Sequence, residues 1–164
     1  MATISANLEQ LGYAGPTGCI APGQHRQVIN GVGATRTLLP EESGALCLLD
    51  RAAGVVYTLP TPIPGMQFEF LASVAVTSNA YKVITAAATQ FLVGGAIMGD
   101  VTIATSGDYF EADGTTIVAL SANGSTTGGL LGERYSVTAI STTQWVIDGV
   151  LHGAGTLITP FATS

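Results

Sequence analysis

The chain has 164 residues, which is enough for one domain with an additional arm or tail. Only 10% of the residues are charged, 47% are hydrophobic and the net charge is −6. This balance argues against nucleic-acid binding, which usually requires a basic face. Because charges are the usual covering of a monomer, so few of them indicate either a membrane protein or a surface buried against copies of itself or a partner.

The membrane alternative is not favoured by the apolar segments. The longest charge-free apolar stretch runs from Val83 to Gly99, which is short of the roughly 18 to 20 residues of a spanning helix. It also contains Thr85, Thr89 and Gln90. The beginning, MATISANLEQ, lacks a basic start followed by an apolar stretch, so no signal peptide is predicted. We therefore expect synthesis in the cytoplasm and an oligomer.

Residues 1–35 are predicted to form an extended N-terminal arm. In the segment ISANLEQL, Ile4, Leu8 and Leu11 recur at spacings of four and three residues, which would place them on one face of a short helix. Gly12 and the following GPTG end this pattern. The rest of the segment has no sustained periodicity and several Gly and Pro residues, which is more typical of an arm than of a core.

Residues 36–150 are predicted to form an all-β domain. Short runs rich in Val, Ile and Thr alternate with turn residues at intervals of about eight to twelve residues, as in sandwiches and barrels. The predicted strands are 45–49, 55–59, 66–72, 81–86, 89–93, 101–104, 115–121, 134–140 and 144–148. No solenoid repeat is found. Residues 151–164 are predicted to be a charge-free C-terminal tail.

The residues that could carry chemistry predict no enzyme, no catalytic residue and no cofactor. His25 lies in the arm and His152 in the tail, and each is expected to be exposed or at an interface. Cys19 and Cys47 lack the spacing of a metal or redox motif, and we expect two small, partly buried thiols without a disulfide bond. No phosphate-binding, nucleophile-elbow or zinc-protease motif occurs.

Three local patterns keep alternatives open. Asp108, Glu111 and Asp113 could surround one loop as calcium ligands, but their spacing differs from an EF-hand, so a solvated turn and no metal are expected. Residues 121–132 are rich in glycine, yet a strand rather than a helix follows, which favours a flexible hairpin loop over a phosphate cradle. Tyr109 and Phe110, placed in a turn, are the one pair that could contribute to carbohydrate binding.

Several short motifs occur in a recognisable order. They are ESGALCLLD at residues 42–50, YTLP at 57–60, PGMQFEF at 64–70 and WVIDG at 145–149. This series, over roughly residues 37–150, resembles the capsid decoration (cement) proteins of tailed bacteriophages. The resemblance implies a jellyroll-like antiparallel β-sandwich that forms a homotrimer and has no small-molecule substrate.

The resemblance also implies a function and a location. It implies a structural virion protein on the outer capsid surface that bridges neighbouring copies of the major capsid protein. The arm lies outside the resemblance; we hypothesise that its residues Ile4, Leu8, Leu11 and Tyr13 contact the capsid, and we expect deletion of residues 1–30 to abolish capsid binding without unfolding the trimer. The alternative is a phage fibre or receptor-binding module with the same kind of sandwich, which could bind carbohydrate.

Overall fold

The computed structural model describes residues 25–31, 33–103 and 106–164. In this part of the chain all regular structure is β-strand, apart from one 3-10 turn at Pro40–Glu42. The all-β prediction is therefore confirmed. The strands are β1 (Val28–Ile29), β2 (Thr35–Thr37), β3 (Leu46–Leu49), β4 (Val55–Thr58), β5 (Gln67–Ala72), β6 (Tyr81–Ile84), β7 (Phe91–Asp100), β8 (Gly107–Asp113), β9 (Ala119–Ala122), β10 (Arg134–Ala139), β11 (Gln144–Gly153) and β12 (Phe161–Ala162).

The strands form two sheets. The seven-stranded sheet has the order β1-β3-β5-β10-β11-β7-β8, and the five-stranded sheet has the order β12-β9-β6-β4-β2. Alternation of apolar and polar residues along the strands places one row of side chains between the sheets, as in the buried Phe68 and Phe70 of β5, which flank the half-buried Glu69. The sheets consequently share one hydrophobic core, as expected of a β-sandwich.

Aromatic side chains join the two sheets in the core. The ring of Tyr57, from the five-stranded sheet, meets Phe70 of the seven-stranded sheet edge-on at a centroid distance of 5.6 Å. Phe70 stacks on Tyr135 at 5.2 Å, and Phe68 lies 6.1 Å from Trp145. The Tyr57 hydroxyl donates a hydrogen bond to the Leu48 carbonyl at 2.9 Å, so this buried polar group is satisfied across the sandwich.

From β1 to β7 the chain alternates between the two sheets, strand by strand. The chain thus winds around the core as a coil. Each turn of the coil adds one strand to each sheet, and strands added one turn apart run in the same direction. The pairs β1–β3, β3–β5, β2–β4 and β4–β6 are accordingly parallel, as is β7–β11. The antiparallel pairs are β5–β10, β10–β11, β7–β8, β6–β9 and β9–β12.

The expectation of an antiparallel sandwich is therefore wrong for the described strands, because half of their pairings are parallel. A jellyroll is built from antiparallel neighbours, and that connectivity is not confirmed. The coil gave no repeat signal in the sequence because side chains at equivalent positions differ. Leu46 pairs with Glu69 in one sheet, and Val56 pairs with Lys82 in the other.

Two predictions for residues 101–113 are wrong, because the predicted strand is a bend and the predicted loop is a strand. Residues 101–103, expected to begin a strand, form a bend in which the Asp100 carboxylate accepts hydrogen bonds from the Thr102 amide and hydroxyl at 2.7 and 2.6 Å. The following segment, expected to be a loop, is β8. It tolerates an acidic sequence because it is the edge strand of the seven-stranded sheet, where charges discourage further strand pairing.

The predicted division of the chain cuts through folded elements. Residues 25–35, assigned to the arm, supply β1 and the first residue of β2, and Ile29 is buried. The boundary at residue 150 falls inside β11, which continues to Gly153. Phe161 and Ala162 then pair with β9.

Candidate interaction surface

The directions of the strands bring five connections to one end of the sandwich. Strands β2, β4, β6, β8 and β10 all finish at this end, because the parallel and antiparallel pairings fix their relative directions. The connections that follow these strands are residues 38–45, 59–66, 85–90, 114–118 and 140–143. We call this surface the arm end.

The arm end is held together by hydrogen bonds between its connections. The Gly65 amide donates to the Ala139 carbonyl at 2.9 Å, and the Thr85 amide donates to the Val118 carbonyl at 3.0 Å. The Gln144 side chain donates to the Gly114 carbonyl at 3.2 Å. Such bonds satisfy main-chain groups that the short strands leave free, so the surface is formed before any partner binds.

Large aliphatic side chains are exposed at the arm end. Leu39, Ile63 and Ile140 expose 54, 55 and 52% of their surface. The five connections contain two charged residues, Glu41 and Glu42. Glu42 is buried, and its carboxylate accepts hydrogen bonds from Arg36 at 2.5 Å and from the Leu39 amide at 2.9 Å. Glu41 alone therefore brings an exposed charge to these connections.

The predicted arm joins the fold at this same end. Strand β1 runs parallel to β3, so the first residue of β1 lies beside the first residue of β3, which directly follows the connection 38–45. The Leu46 amide donates to the Gln27 carbonyl at 2.9 Å, and the Arg26 guanidinium donates to the Gly44 carbonyl at 2.9 Å. Residues 1–24 are thus attached beside the exposed aliphatic side chains.

The opposite end also exposes aliphatic side chains. Val101, Ile103, Leu131 and Ile158 expose 60, 55, 63 and 50% of their surface. The opposite end also carries the half-buried Asp50 and Arg51, whereas most of the exposed charges lie on the faces and on the edge strand β8. The sequence showed the shortage of charge but not this distribution.

The outer face of the seven-stranded sheet carries the largest group of charges. Glu69 of β5 is paired with both Arg26 and Arg134, and its side chain is only 14% exposed. On the neighbouring strands the Ser136 hydroxyl donates a hydrogen bond to the Asp148 carboxylate at 2.6 Å. Glu69, Arg134, Ser136 and Asp148 line an open groove of about 550 Å³.

A buried carboxyl group, Glu133, lies where the glycine-rich segment enters β10. Its side chain is fully buried, and one carboxylate oxygen accepts a hydrogen bond from the Gly129 amide at 2.6 Å. The other oxygen has no hydrogen-bond partner among the described residues, and no Lys or Arg of this part of the chain pairs with the group. Burial raises the pKa of Glu133 to about 7, although nearby backbone amides oppose the rise.

The glycine-rich segment 121–132 is not a hairpin loop, because it crosses from β9 in one sheet to β10 in the other. Its conformation is stabilised by specific bonds. The Asn123 side-chain oxygen accepts from the Ser125 and Thr127 amides at 2.9 and 3.2 Å, and the Val76 amide donates to the Gly129 carbonyl at 2.9 Å. No helix follows it in the described structure.

The acidic residues Asp108, Glu111 and Asp113 lie along β8 rather than around a loop. The Asp113 carboxylate is already occupied, since it accepts hydrogen bonds from the Thr115 and Thr116 amides at 2.8 Å. A hydrogen bond from the Thr116 hydroxyl, together with these amide bonds, holds the pKa of Asp113 well below its usual range. No cluster of three or more His, Cys, Asp or Glu suited to a metal is found in the described ranges.

The remaining predicted residues are placed as follows. Ile4, Leu8, Leu11, Tyr13 and Cys19 lie outside the described residues. Cys47 is buried in the core, and burial raises the pKa of its thiol to about 12. His25 is exposed, and His152 Nδ1 lies 3.2 Å from the Leu131 carbonyl.

Tyr109 and Phe110 do not form an exposed pair. They are successive residues of β8 and point to opposite faces, so that Phe110 packs against the core while Tyr109 is 63% exposed.

In comparisons with known proteins, no family model, curated protein or solved structure matches the chain. Within the described residues there is also no helix with the length and apolarity needed to cross a membrane.

Proposed function

We propose that this protein is a structural, non-enzymatic virion protein that decorates and stabilises a bacteriophage capsid as a homotrimer. The observation that carries the proposal is the arm end. It combines exposed aliphatic side chains, a single exposed charge and the attachment point of residues 1–24. A surface with this composition favours burial against another protein.

In this arrangement the arm end faces the major capsid protein. The first described residue, His25, precedes β1 at that surface, and a segment of 24 residues spans up to about 80 Å when it is fully extended. Ile4, Leu8, Leu11 and Tyr13 then extend the contact over neighbouring capsid subunits, which is the bridging that stabilises a shell.

The family resemblance supplies the trimer and the location on the outer capsid surface. The net charge of −6 suits a position away from the genome. What the chain shares with the family's jellyroll-like sandwich is the two-sheet, all-β architecture, since half of the strand pairs described here are parallel.

Co-sedimentation with undecorated tailed-phage capsids tests the proposal. The wild-type chain should pellet with the capsids. A variant lacking residues 1–24 should stay in the supernatant. This deletion is shorter than that of residues 1–30 and leaves the buried Ile29 and the ion pair between Arg26 and Glu69 in place.

A matched pair of substitutions tests the arm end itself. Ile140→Asp places a charge on this surface, whereas Ile158→Asp makes the same change at the opposite end, and the two side chains are 52 and 50% exposed. Ile140→Asp should abolish pelleting and Ile158→Asp should preserve it. Equal pelleting of both variants would contradict the docking geometry, and a wild-type chain that never pellets would favour the receptor-binding alternative.

A further inference from the structure

The groove on the outer face of the seven-stranded sheet has the composition of a small-ligand site. Arg134 and Val150 form one wall, Ser136 and Asp148 form the other, and Glu69 closes one side. The floor is main chain of β10 and β11, which run antiparallel here. A concave site with a few convergent polar groups is the usual form of a ligand-binding site.

An aromatic ring adjoins the groove. Asp148 is in register with Gly95 on β7, and Gly95 is in register with Glu111 on β8. Gly95 carries no side chain, and the Tyr109 ring takes that space. A Cβ built on Gly95 would lie 2.4 Å from the Tyr109 hydroxyl oxygen and 2.6 Å from its ring carbon Cζ. The ring therefore lies across β7, next to Asp148.

The Tyr109 ring is exposed to solvent and lies against the main chain of β7. It is 63% exposed, and its hydroxyl lies 3.4 Å from the Gly94 carbonyl, which is a weak contact at most. The outward side of the ring is thus a free apolar platform on the sheet. A Cβ on Gly95 would displace it, so the glycine is required for this placement.

The polar groups beside the platform are suited to hydroxyl groups. Asp148 is exposed and uses one oxygen to accept from Ser136 at 2.6 Å. Arg134 donates to Glu69 through Nε, so its guanidinium lies toward β5, at the side of the groove away from the ring. Carboxylates accept from hydroxyl groups and guanidinium groups donate to them, and both kinds of bond are stronger than neutral ones.

We propose that this groove binds a neutral saccharide, with one sugar ring packed on Tyr109 and its hydroxyl groups bonded to Asp148. A pyranose presents an apolar C–H face and a rim of hydroxyl groups, which matches an aromatic platform beside a carboxylate. An anionic ligand is disfavoured because Asp148 and Glu111 flank the ring. A purely apolar ligand would leave these polar groups desolvated and unpaired.

Binding of the purified full-length chain to an array of neutral oligosaccharides tests the proposal. The array should contain glucose, galactose, mannose and N-acetylhexosamine units. The wild-type chain should bind at least one of them, and the best oligosaccharide is then titrated by calorimetry. This readout involves no capsid, so its result is independent of the capsid proposal.

Substitutions at Tyr109 separate the ring from its hydroxyl. Tyr109→Phe keeps the ring and should keep affinity within about twofold, while Tyr109→Ala should weaken binding at least tenfold. Asp148→Asn, which preserves shape, should also weaken binding at least tenfold. Thermal unfolding of each variant checks the fold.

Two results would overturn the proposal. One is a wild-type chain that binds no neutral oligosaccharide above the background of Tyr109→Ala. The other is binding that Tyr109→Ala and Asp148→Asn leave unchanged, because the saccharide would then bind elsewhere.

Discussion

The buried carboxyl group of Glu133 predicts that the fold becomes less stable as the pH rises from 5 to 8. In the unfolded chain the group loses its proton near pH 4.5, whereas burial raises its pKa in the folded chain to about 7. Between these values the folded state holds the extra proton. Stability is therefore fully present below pH 4.5 and is lost as the pH rises through 7.

The size of the effect follows from the shift. A rise from 4.5 to about 7 corresponds to about 3 kcal/mol, of which roughly 2.5 kcal/mol is lost between pH 5 and pH 8. This is a large part of a typical stability of about 5 to 15 kcal/mol. The Glu133→Gln variant keeps an acceptor for the Gly129 amide but cannot ionise, so it should lack this component of the pH dependence.

Urea unfolding at fixed protein concentration measures the effect, with the fluorescence of the single tryptophan, Trp145, as the probe. The difference in unfolding free energy between wild type and Glu133→Gln should change by about 2.5 kcal/mol from pH 5 to pH 8. Glu111→Gln, an exposed control on β8, should follow the wild type. An unchanged difference between wild type and Glu133→Gln would refute the reasoning.

Three further predictions concern single positions. Asp113→Ala removes the acceptor for the amides of residues 115–117, so it should lower the thermal midpoint at pH 7. The variant should also lose less stability than the wild type as the pH falls below about 4, which calorimetry at several pH values would show. Gly94→Ala should destabilise the fold by about 1 to 3 kcal/mol in urea unfolding, because Gly94 has a φ of 111° and a Cβ there would lie 2.5 Å from the Ile147 carbonyl oxygen. In a Cys19→Ser background, Cys47 should resist a thiol reagent until the chain unfolds, since burial raises its pKa to about 12; rapid labelling of the folded chain would contradict its burial.

The sequence predicted the fold class because strand periodicity is a local property. The alternation in MQFEFL correctly indicated the buried Phe68 and Phe70, and eight of the nine predicted strands overlap observed ones. Parallel pairing was missed because it depends on which sheet each strand joins, and nothing local to β3 or β5 records that choice. Strand β8 was missed because its acidic residues resemble a loop.

The candidate surfaces depend even more on long-range arrangement. Glu69 and Arg134 are 65 residues apart, and their meeting depends on the register between β5 and β10. Likewise, Gly95 gives a sequence signal only as one of two adjacent glycines in a strand. Its role becomes visible once β8 places Tyr109 over it. Burial of Glu133 could be suspected only from an acidic residue directly before an apolar strand, which is a weak signal.

The most direct test of the central claim, that this chain is a subunit of an assembly, is its mass in solution by light scattering across a range of concentrations. The proposal predicts a mass three times that of the 16.6 kDa chain. It further predicts that Ile140→Asp at the arm end leaves this mass unchanged, because that end faces the capsid. A wild-type chain that keeps the mass of a monomer at every concentration would contradict the homotrimer.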